Sequence, residues 1–266
     1  MKTYIINLKR SANRREHILK ETARFPFLDV ELVDAVDGRE LSAQEEARLF
    51  DRQHFMDRYH GRIPSPGEIG CTLSHRRCYH KLLQSDEEYA LILEDDVVFS
   101  FPEKMASYHE ACRRLISDKA DIVLSTSRCV LYRYRKLCIN GFDFYPVYTA
   151  YTTHAYIISK KAAMTILRKD KHPSIVADDW RAIVGMGITV YAVSPEIISV
   201  SDTFNTTVCF KPEYIPVCKS RRYLKYRIYG WCSLLFCLLG SLLGFMQNMR
   251  KSIFKPSAFI GKANGL

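Results

Sequence analysis

Apolar residues in this chain fall in short runs separated by turn-forming stretches, and several runs alternate with segments of helical spacing. Tyr4-Ile5-Ile6-Asn7-Leu8 is a buried-strand pattern, followed by Ser11 as a helix cap and by Arg14, Arg15, Ile18 and Leu19 on a helix. Residues 30–33 read as a second strand ending near Asp34, and Asp37-Gly38 is a turn signal. Three further helix starts carry the Ser-x-x-Glu capping box: Ser42 with Glu45, Ser65 with Glu68, and Ser100 with Glu103. Pro66 and Pro102 fall in the first turn, where a missing N–H costs nothing. Met105, Tyr108, Cys112, Leu115 and Ile116 recur at intervals of three and four, which predicts one buried helical stripe. Residues 90–93, 122–124, 155–158 and 189–193 are further strand candidates. Their alternation with helices predicts an α/β domain built on a mostly parallel sheet covered on both faces. Residues 128–153 break this pattern with Tyr132, Tyr134, Phe142, Phe144, Tyr145, Tyr148 and Tyr151, an irregular loop or hairpin over the site.

Length and charge divide the chain unequally. Its 266 residues, 47% apolar, suit one core plus an appendage. The net charge of +10 is concentrated beyond Glu213, where there is no acid but nine basic residues: Lys219, Arg221, Arg222, Lys225, Arg227, Arg250, Lys251, Lys255 and Lys262. Residues 1–213, the expected catalytic domain, are therefore almost neutral, which argues against a nucleic-acid partner. Residues 214–266 form the expected tail. Between Arg227 and Arg250 there is no charge, and residues 231–246 are apolar or small on every face, as in a core or in lipid. Gly240 and Gly244 have a spacing that permits helix pairing, while the glycines weaken a full span. Basic residues flank both ends, so an interfacial or re-entrant segment on an anionic membrane surface fits best. The alternative is a helix packed on the domain. Nine cysteines without a Cys-x-x-Cys pair read as reduced cytosolic thiols, and the five apolar-rich residues after Thr3 are too few for a signal-peptide core. The expected location is the cytoplasmic face of the inner membrane.

Candidate chemistry centres on Leu91-Ile92-Leu93-Glu94-Asp95-Asp96, where three acids follow an apolar strand. In an open α/β sheet, ligands lie beyond the carboxyl ends of strands. Burying such carboxylates without a counter-cation is costly, so Glu94 and Asp96 are candidates to hold one hard cation with diphosphate oxygens. A solvated turn with stray acids is the plainer alternative. Asp178-Asp179-Trp180 is a second acidic pair, either a base for an attacking hydroxyl or a helix N-cap. Asn7, Arg10, Arg14 and Arg15 are placed to meet phosphate, or are simply solvated. His75 shares a helix face with Cys71 and Cys78, a face read as packed rather than metal-binding, with a cofactor-binding role for His75 as the alternative.

Together, Tyr4-Ile5-Ile6-Asn7-Leu8-Lys9-Arg10-Ser11 with Arg14-Arg15, Ala35-Val36-Asp37-Gly38, Gly67-Glu68-Ile69-Gly70-Cys71-Thr72-Leu73-Ser74-His75, the acid run and Thr153-His154-Ala155-Tyr156-Ile157-Ile158-Ser159 resemble glycosyltransferase family 25. That family comprises bacterial lipooligosaccharide galactosyltransferases and their collagen-modifying relatives. The resemblance covers about the first 200 residues. It implies a GT-A, Rossmann-like fold, a UDP-sugar donor (usually UDP-galactose), Mn2+ or Mg2+, inversion to a β-linkage and a lipooligosaccharide or lipopolysaccharide glycan acceptor. On it, Glu94 and Asp96 resemble the acidic metal- and donor-holding motif with Asp95 beside them, and Asn7, Arg10, Asp37 and Gly38 would lie near the nucleotide. Asp179, or Asp178, would be the base. His154 is a further metal or phosphate candidate, or a buried strand histidine. A metal-dependent nucleotidyl- or phosphotransferase is the rival enzyme class. A membrane-tethered basic binding module is the non-enzyme alternative, for which the acids have no use.

Overall fold

The computed structural model describes residues 1–126 and 128–204, together with 232, 235–236, 238–240 and 246–248. Strand β1 (Lys2–Asn7) leads through helix α1 (Ala12–Thr22) to β2 (Asp29–Asp34). Ser11 does stand at the N-cap of α1, but its side chain makes no capping bond. Helices α2 (Ala43–Leu49), α3 (Arg52–Arg58) and α4 (Pro66–Gln84) follow, and the capping boxes of Ser42 with Glu45 and Ser65 with Glu68 both close. Beyond β3 (Tyr89–Glu94) and β4 (Val97–Phe99), the third box does not form. Ser100 extends the ribbon that β4 makes with β11 (Ile198–Val200), and its hydroxyl meets that of Ser199 at 2.9 Å. A 3-10 turn at Pro102–Lys104 then starts α5 (Met105–Asp118), whose Met105, Tyr108, Cys112 and Leu115 are buried as their spacing predicts.

The large sheet contains β1, β2, β3, β5 (Ile122–Leu124), β6 (Cys129–Tyr132), β7 (Leu137–Ile139), β8 (Phe142–Ala150), β9 (Ala155–Ser159), β10 (Val190–Ser194) and β12 (Met246–Asn248). Its path runs β12-β6-β8-β10-β5-β9-β3-β1-β2, with β7 beside β8. The expected mostly parallel sheet is instead mixed. Only β1 with β2, β1 with β3, and β10 with β5 pair in parallel among the described strands. Residues 151–154 connect β8 to β9, which are separated in the sheet by β10 and β5. β9 enters antiparallel to both β3 and β5. Residues 128–153 are not irregular but largely paired, and Asn140 and Gly141, at φ 50° and 80°, turn β7 into β8. Asn-Gly is the pair that such a tight turn favours.

Both faces of the sheet are covered, so its central strands bury apolar side chains on both sides. Tyr4, Ile6, Ile92, Tyr156 and Ile158 face one way, with Cys78, Tyr79 and Leu82 of α4, Ala162 and Ile166 of α6 (Lys160–Lys169), and Ile183 of α7 (Trp180–Gly185). Ile5, Leu91, Leu93, Val123 and Ile157 face the other, with Ile18 of α1 and the buried stripe of α5. This alternation is the two-residue period of a strand read from both sides. The register sets Asn7 opposite Asp34 and Ile6 opposite Glu94, so three strands end side by side. Antiparallel pairing of Leu93 with Ala155 brings the start of β9 to that same edge.

Most of the tail lies outside the described residues, including its basic clusters. Within it, β12 pairs antiparallel with β6, so that part is a strand on the sheet and not a lipid-facing helix. Positions 232, 235–236 and 238–240 are helical. No helix among the described residues is long and apolar enough to cross a membrane.

Candidate active site

At the edge where β1, β2 and β3 end, a half-open cleft with about 120 Å³ of free space is lined by Arg10, Arg14, Asp37, Gly38, Cys71, His75 and the three acids. Asp95 is buried and fixed from two sides: Asn7 Nδ2 donates to it at 2.7 Å, and Arg14 Nε lies 2.9 Å away. Asn7 also donates to the Ser11 carbonyl, so its amide positions the acid at the strand end. Asp96 pairs through Oδ2 with Arg14, while its buried Oδ1 has no partner. Burial and the adjacent charge of Glu94 push the Asp96 carboxyl up to about 6, against the pull of Arg14. Burial also raises Asp95, opposed by Arg14 and Asn7. Arg10 pairs with Asp37 at the mouth of the cleft.

Glu94 points to the other wall. Thr153 Oγ1 donates to it at 2.6 Å, and His75 Nε2 lies 3.5 Å from the same oxygen. Burial alone would raise Glu94, but His75 and the Thr153 hydroxyl outweigh it and hold the carboxyl at about 2. Glu94 is thus ionised beside a carboxylate that resists ionising, an asymmetry typical of sites that bind cations or move protons. The thiol of Cys71, one turn before His75 on α4, is pushed well up by burial and by the charges of Glu94 and Asp178. The sequence reads the face of Cys71, His75 and Cys78 as packed, with a cofactor-binding role for His75 as the alternative; in the structure Cys71 and His75 line the cleft, while Cys78 enters the core.

The two later acids do different things. Asp179 caps α7, accepting from Ala182 N at 2.9 Å through one oxygen and from Tyr59 OH at 2.5 Å through the other. Asp178 accepts from the backbone N–H of Thr152, and burial followed by the charge of Asp179 raises its pKa. Thr152 itself sits at φ +85°, an unusual conformation for a β-branched residue. Its carbonyl accepts from Trp180 Nε1 at 2.9 Å and its hydroxyl meets His154 Nδ1 at 3.1 Å. The other imidazole nitrogen of His154 lies 3.0 Å from the Ile198 carbonyl. Both nitrogens being occupied, the expected metal role of His154 is replaced by holding the 151–154 turn, and its backbone carbonyl accepts from Glu94 N.

The model of glycosyltransferase family 25, described as a lipopolysaccharide biosynthesis protein, matches residues 1–180. The chain belongs to glycosyltransferase family 25. Among its curated relatives, a glycosyltransferase 25 family member of Aedes aegypti is 29% identical over 66% of this chain and 29% of its own length. The human procollagen galactosyltransferase 2 is 29% identical over 62% of this chain and 27% of its own length. The chain therefore spans under a third of the length of these relatives. Solved structures align loosely: the galactosyltransferase LgtC with donor and acceptor sugar analogues has a TM-score of 0.34 at 11% identity, covering 72% of this chain and 73% of that one. A UTP-bound UGPase from Acinetobacter baumannii has a TM-score of 0.40 at 12% identity, covering 86% and 92%.

In this family 25 chain the acid pair fits a divalent cation. Asp96 Oδ1 is a buried oxygen without a partner, next to ionised Glu94, and both are hard oxygen donors of the kind that Mg2+ or Mn2+ takes. Tyr59 and Thr152 carry no functional signal in the sequence, and Cys71 and Thr153 enter only as members of the family motifs. Tyr59 lies 120 residues from its partner Asp179, and Thr153 lies 59 from Glu94. Only the fold brings them together.

Proposed function

We propose that this chain transfers a hexose, galactose, from a UDP-sugar to a hydroxyl of a lipooligosaccharide-type glycan, inverting the anomeric centre on a GT-A scaffold. The observation that carries the reading is the run Glu94-Asp95-Asp96 at the end of β3, lining a cleft walled by Arg10, Arg14, Asp37 and α4, with the Asp178 charge acting on Cys71 of that cleft.

Glu94 and Asp96 would hold Mn2+ or Mg2+, and the ion would offset negative charge on the departing UDP. Arg14 is half-buried against both Asp95 and Asp96, and it adds a fixed positive charge on the diphosphate side. Asp37, held by Arg10, lies at the nucleotide end of the cleft. Asp178 is the base in this reading. Asp179 is committed to α7 and Tyr59, whereas the raised pKa of Asp178 makes it the better proton acceptor. Asp178 takes the proton of the acceptor hydroxyl while that oxygen bonds to the anomeric carbon and the bond to UDP breaks.

Membrane association through the tail is part of the proposal. Leu235, Phe236, Leu238 and Leu239 are 61, 42, 55 and 49% exposed, an apolar surface suited to the interfacial region of a bilayer. A screen of UDP-sugars against a lipooligosaccharide-type acceptor tests the reading: transfer should release UDP, and release of pyrophosphate would replace it with nucleotidyl transfer.

A further inference from the structure

We propose that Cys71, His75 and Glu94 form a three-ligand site for a zinc-type transition metal, with the fourth position open to the cleft. The inference goes beyond sugar transfer and concerns a donor set unlike the all-oxygen pair of Glu94 and Asp96.

Cys71 and His75 are four residues apart on α4, so their side chains project from one face. One ligand atom each from Cys71, His75 and Glu94 lie within 4.8 Å of one another. The His75 ring is 1% exposed, and its Nδ1 lies 2.8 Å from Tyr156 OH, which in turn lies 2.9 Å from Tyr79 OH. That arrangement matches the outer-shell contact by which metal-binding histidines are oriented. Nε2 is left buried, without a hydrogen-bond partner, and aimed at Glu94 3.5 Å away. A buried nitrogen without a partner is costly to the fold unless a ligand completes it. Thr153 fixes the carboxylate that completes the set.

Thiolate, imidazole and carboxylate together suit Zn2+ or Co2+, while Mg2+ and Ca2+ favour oxygen alone. Three protein ligands with an open position are the arrangement of reactive zinc sites, whereas structural sites are closed by four. On loading, the Cys71 S–H bond breaks, its electron pair goes to the metal and the proton leaves to solvent. Glu94 belongs to both donor sets, so an ion held by Cys71 and His75 competes with the acid pair for it.

The test titrates the full chain, stripped with chelator, with Co2+ and reads its absorption spectrum. A thiolate-to-cobalt charge-transfer band should appear, vanish on adding Zn2+ and persist in excess Mg2+. Cys71→Ser should abolish it and weaken Zn2+ binding by about 100-fold or more, since even outer-shell losses cost 10–100-fold. Replacing the exposed Cys138 by Ser should leave the band intact. Cobalt binding without a thiolate band, a band that survives Cys71→Ser, or no binding would overturn the site. If Cys71→Ser does not fold, alkylation of the unaltered chain decides: Zn2+ should protect Cys71 and not Cys138, and equal labelling of Cys71 with and without Zn2+ rejects the proposal. None of these readouts depends on transferase activity, so the site and the transfer reading fail separately.

Discussion

Gly38 and Gly70 meet backbone to backbone, and this contact seats the Asp37 turn on the helix that carries Cys71 and His75. A Cβ on Gly70 would fall 2.5 Å from the Val36 carbonyl oxygen and 2.7 Å from Gly38 N, and one on Gly38 would fall 1.7 Å from the Pro66 carbonyl oxygen. The neighbours are main chain and cannot rotate away. Gly70→Ala should therefore lose about 1–3 kcal/mol of stability despite the better helix propensity of alanine. It should also raise the KM for donor more than it lowers kcat, because the end of the cleft proposed to hold the nucleotide moves. Denaturant titration and donor kinetics check both; an unchanged midpoint would contradict the contact.

Asp96→Asn should stabilise the metal-free protein at neutral pH while removing metal-dependent activity. Asp96 has a folded pKa of about 6 against an ordinary 3.8, so the native state binds the extra proton in that window and metal-free stability falls as pH rises from about 4 to 6. Above that range the ionised carboxylate costs about 1–3 kcal/mol, which asparagine avoids. Unfolding in chelator at pH 7 and pH 3.5 should show the variant more stable only at pH 7. Manganese should raise the Tm of the parent chain more than that of the variant. Full activity of the variant across a manganese titration would remove Asp96 from the metal site.

Asp178→Asn and Asp179→Ala should separate chemistry from structure. The first should lower kcat strongly with donor affinity kept, as loss of a base does. The second removes the cap of α7 and the partner of Tyr59, so stability should fall by about 1–2 kcal/mol. Tyr59→Phe should share part of the Asp179→Ala loss in a double-mutant cycle. If Asp179→Ala keeps its stability and Asp178→Asn keeps its kcat, the roles assigned here are reversed.

Replacing Leu235, Phe236, Leu238 and Leu239 by glutamine should reduce co-sedimentation with anionic vesicles and leave transfer to a small soluble acceptor near normal. These side chains are exposed and remote from the acid cluster in sequence. Added salt should weaken the binding that remains, since screening acts on the basic residues and not on apolar burial. Unchanged vesicle binding by the substituted chain would reject the membrane role of this surface.

The sequence by itself determined the features whose causes lie within a few residues of one another. The Ser42 and Ser65 capping boxes, the α5 stripe and the acids ending an apolar strand are of this kind, and each appears where its local pattern puts it. Ser100 has the same box spacing but joins Ser199, because a strand partner 99 residues away competes for it. The tertiary structure alone decided that β9 enters antiparallel, which delivers Thr153 to Glu94. It also decided that His154 binds Thr152 and the Ile198 carbonyl, and that Asp179 rather than Asp178 caps α7. A carboxylate or imidazole has the same intrinsic chemistry wherever it stands in the chain. Which partner satisfies it, and so whether it holds the fold or faces the cleft, depends on contacts made only when distant strands and helices have packed.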